Sequence, residues 1–182
     1  MKVYILGPHS SGKTTLARNI SKLYNLPLLP EVARLVLAEK ELQLDSLRTN
    51  MDVVNDYQST VFTRQLQEEK KFEQFVSDRS FDCIAYTAQH SSILSSYRNN
   101  PELDHYIESL RNNDVILFFI RANKDTLKED GVRETPVYDE VLKIDAMVKF
   151  MLEWFGLNYI PINTSNMQER LQIVNSVLRL VK

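Results

Sequence analysis

The sequence predicts an α/β fold of three layers, with a five-stranded parallel sheet between helices. Three observations predict it. Five short runs of β-branched or large apolar residues are continuous, as strands buried on both faces require. Between them, apolar residues recur at spacings of three and four, which places them on one side of a helix. A glycine-containing stretch, "GPHSSGKTT" at 7–15, joins the first apolar run to the first helical pattern.

The strands are expected at residues 3–6, 27–29, 75–77, 115–120 and 159–162. Helical patterns cover 14–23 and 50–74, the latter with Met51, Val54, Val61, Phe62 and Leu66 on one stripe. Two further stripes follow: Val141, Ile144, Val148, Met151 and Phe155, then Leu171, Val174, Leu178 and Val181. Strand–helix alternation calls for right-handed crossovers and gathers ligands at the carboxyl ends of the strands. No repeat, low-complexity tract or Pro/Gly/Ser linker divides the chain, so one domain over 1–182 is expected.

Composition narrows the class. The 182 residues are 43% hydrophobic and 25% charged, as in an ordinary globular domain. A net charge of −2 provides no basic field for nucleic acid or an anionic membrane, so neither is expected as a partner. Cys83 stands alone, which excludes an intramolecular disulfide and a cysteine zinc site. With no long apolar stretch and no signal-peptide pattern, the expectation is a cytoplasmic protein. Nothing in the sequence speaks to oligomeric state.

Gly7-x-x-x-x-Gly12-Lys13-Thr14 follows a predicted strand and opens a predicted helix, the setting in which such a loop holds phosphate. Its glycines allow positive φ, so backbone N–H groups can turn toward an anion, and the helix adds its positive end. Lys13 supplies charge for the β and γ phosphates, and the Thr14 hydroxyl is placed to ligate Mg²⁺. Ser10, Ser11 and Thr15 complete the nucleotide-binding loop.

Two carboxylates are expected at the same edge of the sheet. The second strand runs into "LLPEVAR", which puts Glu31 beside the phosphate loop if the two strands are neighbours. There it can accept a proton from an attacking hydroxyl, with Arg34 steadying substrate or phosphate. It can equally be a helix-start glutamate paired with Arg34. The third strand ends in "FVSDRS", so Asp78 can hold the water shell of Mg²⁺ while Arg79 offers a donor fork to phosphate. After the fourth strand, residues 121–136 read as a basic lid carrying Arg133, able to neutralise transferred charge and exclude water. The helix at 50–74 forms the wall of an acceptor pocket, with Tyr57 and Gln58 placed to stack on and hydrogen-bond a base or ring.

Together these blocks resemble the small-molecule kinases of the P-loop superfamily over nearly the whole chain. "GPHSSGKTTL", "LPEVARLVL", "DRSFDCIAY", "DGVRE" and "IDAMVKFMLEWFGLNYIPI" are similar, in order, to the NadR-type ribosylnicotinamide kinase domain and its AAA-like ATP-binding relatives. The "PEVAR" and "SDRS" pair resembles deoxyribonucleoside kinases, and "DRSFDCIAY" more distantly thymidylate kinases, with its Ala-Tyr pair one residue early. The resemblance implies a P-loop nucleoside/nucleotide-kinase-like fold with a lid after strand 4. It implies ATP and Mg²⁺ at Gly7, Gly12, Lys13 and Thr14, acid–base and metal work at Glu31 and Asp78, and phosphate contacts from Arg34, Arg79 and Arg133.

The function expected is a Mg²⁺·ATP-dependent kinase acting on a hydroxyl of a small nucleoside-like acceptor, ribosylnicotinamide among the possibilities. A nucleoside-monophosphate kinase and an ATP- or GTP-binding regulator without an acceptor are the alternatives. "ANKDT" at 122–126 lacks the intervening residue of the Asn-Lys-x-Asp loop found in GTPase switches, which disfavours a switch.

Overall fold

The computed structural model describes residues 1–40, 50–85, 98–126 and 137–181. Its strands are β1 (Lys2–Leu6), β2 (Leu28–Leu29), β3 (Phe75–Asp78), β4 (Val115–Ile120) and β5 (Ile160–Ile162). Its α-helices are α1 (Lys13–Tyr24), α2 (Val32–Glu39), α3 (Met51–Glu69), α4 (Pro101–Ser109), α5 (Tyr138–Trp154) and α6 (Met167–Leu180). Short 3₁₀ turns occupy Phe81–Ile84 and Lys124–Thr126. The five strands pair in parallel in the order β2-β3-β1-β4-β5.

Alternate residues of each strand feed two cores. Val3, Ile5, Val76, Ile116, Phe118 and Ile120 pack on Leu16, Ala17 and Ile20 of α1 and on Val174 and Leu178 of α6. Tyr4, Leu6, Phe75, Leu117 and Phe119 face the opposite way, onto α3, α4 and α5. Burial on both faces accounts for the unbroken apolar runs of these strands. The three layers and the five-stranded parallel sheet are therefore those the sequence predicts.

Differences are local. The third helix stops at Glu69, five residues before its predicted end, and the chain then turns into β3. Near Phe81 the structure forms a 3₁₀ turn. Helix α4, absent from the sequence reading, starts at an Asn-Pro pair: Asn100 Oδ1 accepts the Glu102 N–H at 2.9 Å and Pro101 occupies the first turn. Of the expected lid at 121–136, residues 127–136, Arg133 included, lie outside the described residues. Among the described residues, no helix is long and apolar enough to cross a membrane.

The strand order decides the condition on which the placement of Glu31 depended. β1 and β2 are not neighbours, because β3 lies between them. Glu31, just past β2, is therefore one strand further from the phosphate loop than a direct β1–β2 pairing would put it. What bridges the gap belongs to β3.

Candidate nucleotide-binding and phosphotransfer site

The loop after β1 turns through Gly7 at φ 139°, Ser10 at 56° and Gly12 at 84°. Gly7 is required by close approach: a Cβ there would stand 2.3 Å from the Ile120 carbonyl oxygen at the end of β4. Inside the loop, Ser11 Oγ donates to the Pro8 carbonyl at 2.9 Å. The Lys13 ammonium donates to the same carbonyl and to Ser11 Oγ. Thr15 is exposed, and Ser10 and Thr14 are partly so.

Lys13 is 5% exposed. Burial pushes its ammonium down to about 7, and the nearby Arg79 guanidinium pushes the same way against Asp78, Asp82 and Glu31. A lysine held like this gains most when an anion arrives.

Thr14 Oγ1 donates to Asp78 Oδ2 at 2.5 Å, joining the start of α1 to the end of β3. Asp78 is 1% exposed, and its Oδ1 has no hydrogen-bond partner among the described residues. A hydroxyl and an orphaned carboxylate oxygen at the edge of a phosphate loop fit Mg²⁺, which takes oxygen ligands and keeps several waters.

Arg79 carries the bridge to Glu31. Its backbone sits at φ 95°, a conformation that costs a non-glycine residue about 1–3 kcal/mol. It is over-determined by its surroundings. The Arg79 N–H donates to the Ile5 carbonyl, Ser77 Oγ donates to the Arg79 carbonyl, and Asp82 Oδ1 accepts the Ser80 N–H at 2.9 Å. The side chain then runs between Glu31, whose Oε1 accepts from Nε at 2.9 Å, and Asp82, whose Oδ2 accepts from Nη1 at 3.2 Å. Asp82 Oδ2 also accepts the Gly7 N–H at 3.3 Å, so one buried carboxylate ties the strained turn to the start of the loop. The other oxygen of Glu31 accepts from Arg34 Nε at 2.9 Å, and the Arg34 side chain is 56% exposed.

The structure thus gathers Lys13, Thr14, Asp78, Arg79, Glu31 and Arg34 at one sheet edge. Tyr57 and Gln58 lie on the buried side of α3. The Tyr57 hydroxyl donates to the Ala33 carbonyl of α2 at 2.7 Å. Gln58 is 7% exposed and its Oε1 has no hydrogen-bond partner among the described residues. A solvent-open groove of about 320 Å³ on the outer side of α2 and α3, lined by Val36, Glu39, Thr63 and Arg64 among others, shares no residue with these.

Three groups escaped the sequence reading. Asp82 had a signal, lying four residues beyond Asp78 in "DRSFD". Arg170 had none, because its contact with Ser11 spans 159 positions. The third is a largely buried chain that reaches Ser80, next to Arg79. Glu69 accepts from Tyr4 and Tyr106 hydroxyls at 2.6 and 2.7 Å and from Gln65 Nε2 at 2.8 Å. Gln65 also reaches Ser77, and Tyr106 shares a 2.7 Å bond with Ser80. Burial raises the Glu69 carboxyl against these three donors.

Solved structures share this architecture. NadR protein in complex with NAD and AMP-PNP superposes with TM-score 0.72 at 17% identity, over 96% of this chain and 48% of the NadR chain. Deoxyadenosine kinase from M. mycoides with bound dATP gives 0.66 at 15%, over 98% and 100% of the two chains. Shikimate kinase from Aquifex aeolicus gives 0.59 at 14%, over 98% and 96%. At such identity the likeness establishes the fold, that of the P-loop small-molecule kinases. No curated protein matches the sequence. A family model described as AAA domain matches residues 2–170, nearly the whole chain, and the protein belongs to that family.

Proposed function

We propose that the chain, as one unit over 1–182, is a Mg²⁺·ATP-dependent kinase that phosphorylates a hydroxyl of a small nucleoside-like acceptor. The observation that carries the proposal is a pair of contacts on adjacent residues at the end of β3, Thr14 to Asp78 and Arg79 to Glu31, beside the buried Lys13. A site that only held a nucleotide needs the loop; a carboxylate wired to it from another strand is suited to a second substrate.

In this reading the loop and Lys13 hold the triphosphate, and Thr14 with Asp78 hold Mg²⁺ and its water shell. Mg²⁺, when bound, supplies charge neutralisation on the phosphate oxygens. The acceptor oxygen bonds to the terminal phosphorus while the bond to the bridging oxygen breaks, ADP leaves, and Glu31 takes the hydroxyl proton. Arg79 and Arg34 fix both oxygens of Glu31 and are proposed as phosphate contacts, with Arg133 as the lid contribution. The buried, unpartnered oxygen of Gln58 would gain a hydrogen bond from an acceptor's N–H or O–H, which favours a base or ring beside α3.

The neighbours support a small acceptor, since their names are deoxyadenosine kinase, shikimate kinase and NadR, the last also seen in complex with NR. Ribosylnicotinamide is the acceptor to try first, with nucleosides, nucleoside monophosphates and shikimate beside it. A coupled ADP assay is expected to show an acceptor-dependent signal with one of these. ADP release that no acceptor raises above background hydrolysis would overturn the proposal. A second reading, a nucleotide-dependent regulator, is favoured by one observation: two guanidiniums already engage Glu31. Such a protein would bind ATP and a partner without any acceptor signal.

A further inference from the structure

Arg170 closes the first turn of α6, is 1% exposed, and is the largest of the fully buried side chains among the described residues. Its Nε donates to the Thr164 carbonyl and its Nη1 to the Ser11 carbonyl, both at 2.7 Å. The remaining nitrogen, Nη2, has no partner among the described residues. Taking a guanidinium out of water without a counter-charge is expensive, so this placement is not explained by packing alone.

Peptide geometry supplies an explanation. A trans peptide unit is planar, so its C=O and N–H point in opposite directions. Holding the Ser11 oxygen toward Arg170 therefore turns the Gly12 N–H away from Arg170. Gly12 lacks the atom that would block the arrangement: a Cβ there would stand 2.8 Å from Arg170 Nη1. A charged donor on the carbonyl also polarises the peptide and makes its N–H a stronger donor.

We infer that Arg170 is a positioning residue for nucleotide binding, which aims the Gly12 N–H at the phosphate chain of a nucleoside diphosphate or triphosphate. It acts through the Ser11–Gly12 peptide and places its positive charge behind the loop. Its second bond, to Thr164, ties the segment after β5 to the same loop. The inference rests on reading the loop as a nucleotide site.

The test uses the full chain with Arg170→Lys and Arg170→Met. Selective ¹⁵N-glycine labelling yields four amide signals, one for each glycine. In ligand-free protein both variants should move the Gly12 signal and leave that of Gly156 in place. Calorimetry should show ADP binding weakened at least tenfold in Arg170→Met, with the preference for ADP over AMP reduced. Arg170→Lys, which keeps the charge and loses the fork, should fall between. An unmoved Gly12 signal, or ADP binding within twofold of wild type in a folded Arg170→Met, would overturn the inference. Should Arg170→Met fail to fold, Arg170→Lys decides by the same two readings. Wild-type protein that binds no ADP would overturn the nucleotide reading, while the Gly12 signal still judges the peptide geometry.

Discussion

Lys13 is the residue whose chemistry is most exposed to measurement. Its ammonium sits at about 7 in the ligand-free protein, against 10.5 in an ordinary lysine. Between those values the unfolded chain binds more protons than the folded one, so this group makes the apo protein more stable as pH rises through that window. A phosphate beside it restores the charged form, so nucleotide binding must take up a proton near and above neutrality. Affinity for ADP should fall as pH rises from 7 to 9, by about tenfold per unit at the steepest. Calorimetry in buffers of different ionisation heat reads that proton directly; a flat affinity with no proton uptake would contradict it. Asp78→Asn should raise the Mg²⁺ needed for half-maximal turnover by roughly tenfold or more, as loss of an outer partner does elsewhere. Lys13, Thr14 and Asp78 were legible in sequence because each is tied to a strand end by a few residues. Arg170 was not, because it meets the loop only through the fold.

Elements show what a stripe of apolar residues misses. On α3 the buried face holds Val54, Tyr57, Gln58, Val61, Phe62, Gln65 and Leu66. Periodicity finds the apolar members and passes over Gln65, because polar side chains are taken to face water. Here Gln65 faces Glu69 and Ser77. The same helix, ending at Glu69, delivers a half-buried carboxylate to Tyr106 of α4, and Tyr106 in turn meets Ser80 beside the strained Arg79. Tyr106→Phe removes one donor from Glu69 in a buried setting and should cost about 1–3 kcal/mol in urea unfolding. Because Ser80 adjoins Arg79, turnover should fall beyond what the lost stability explains at low temperature. Unchanged stability would mean the chain of hydroxyls carries no weight.

For the molecule as a whole, strand existence and parallel pairing were readable, since runs buried on both faces leave few other arrangements. Strand order was not. The placement of β3 between β1 and β2 is a long-range choice, and it decides that Arg79, rather than direct adjacency, connects Glu31 to the loop. The proposed acceptor side is the least legible, because the residues assigned to it come from two places in the sequence, Glu31 and Arg34 at the start of α2 and Tyr57 and Gln58 on α3, with no local motif. In the proposed reaction the held phosphate leaves for an acceptor, with Glu31 as the base. Once an acceptor is identified, the direct test is its phosphorylation rate in Glu31→Gln at saturating Mg²⁺·ATP. A fall of about 10²-fold or more is expected, with ADP affinity within a few-fold of wild type. Turnover preserved in that variant would contradict it.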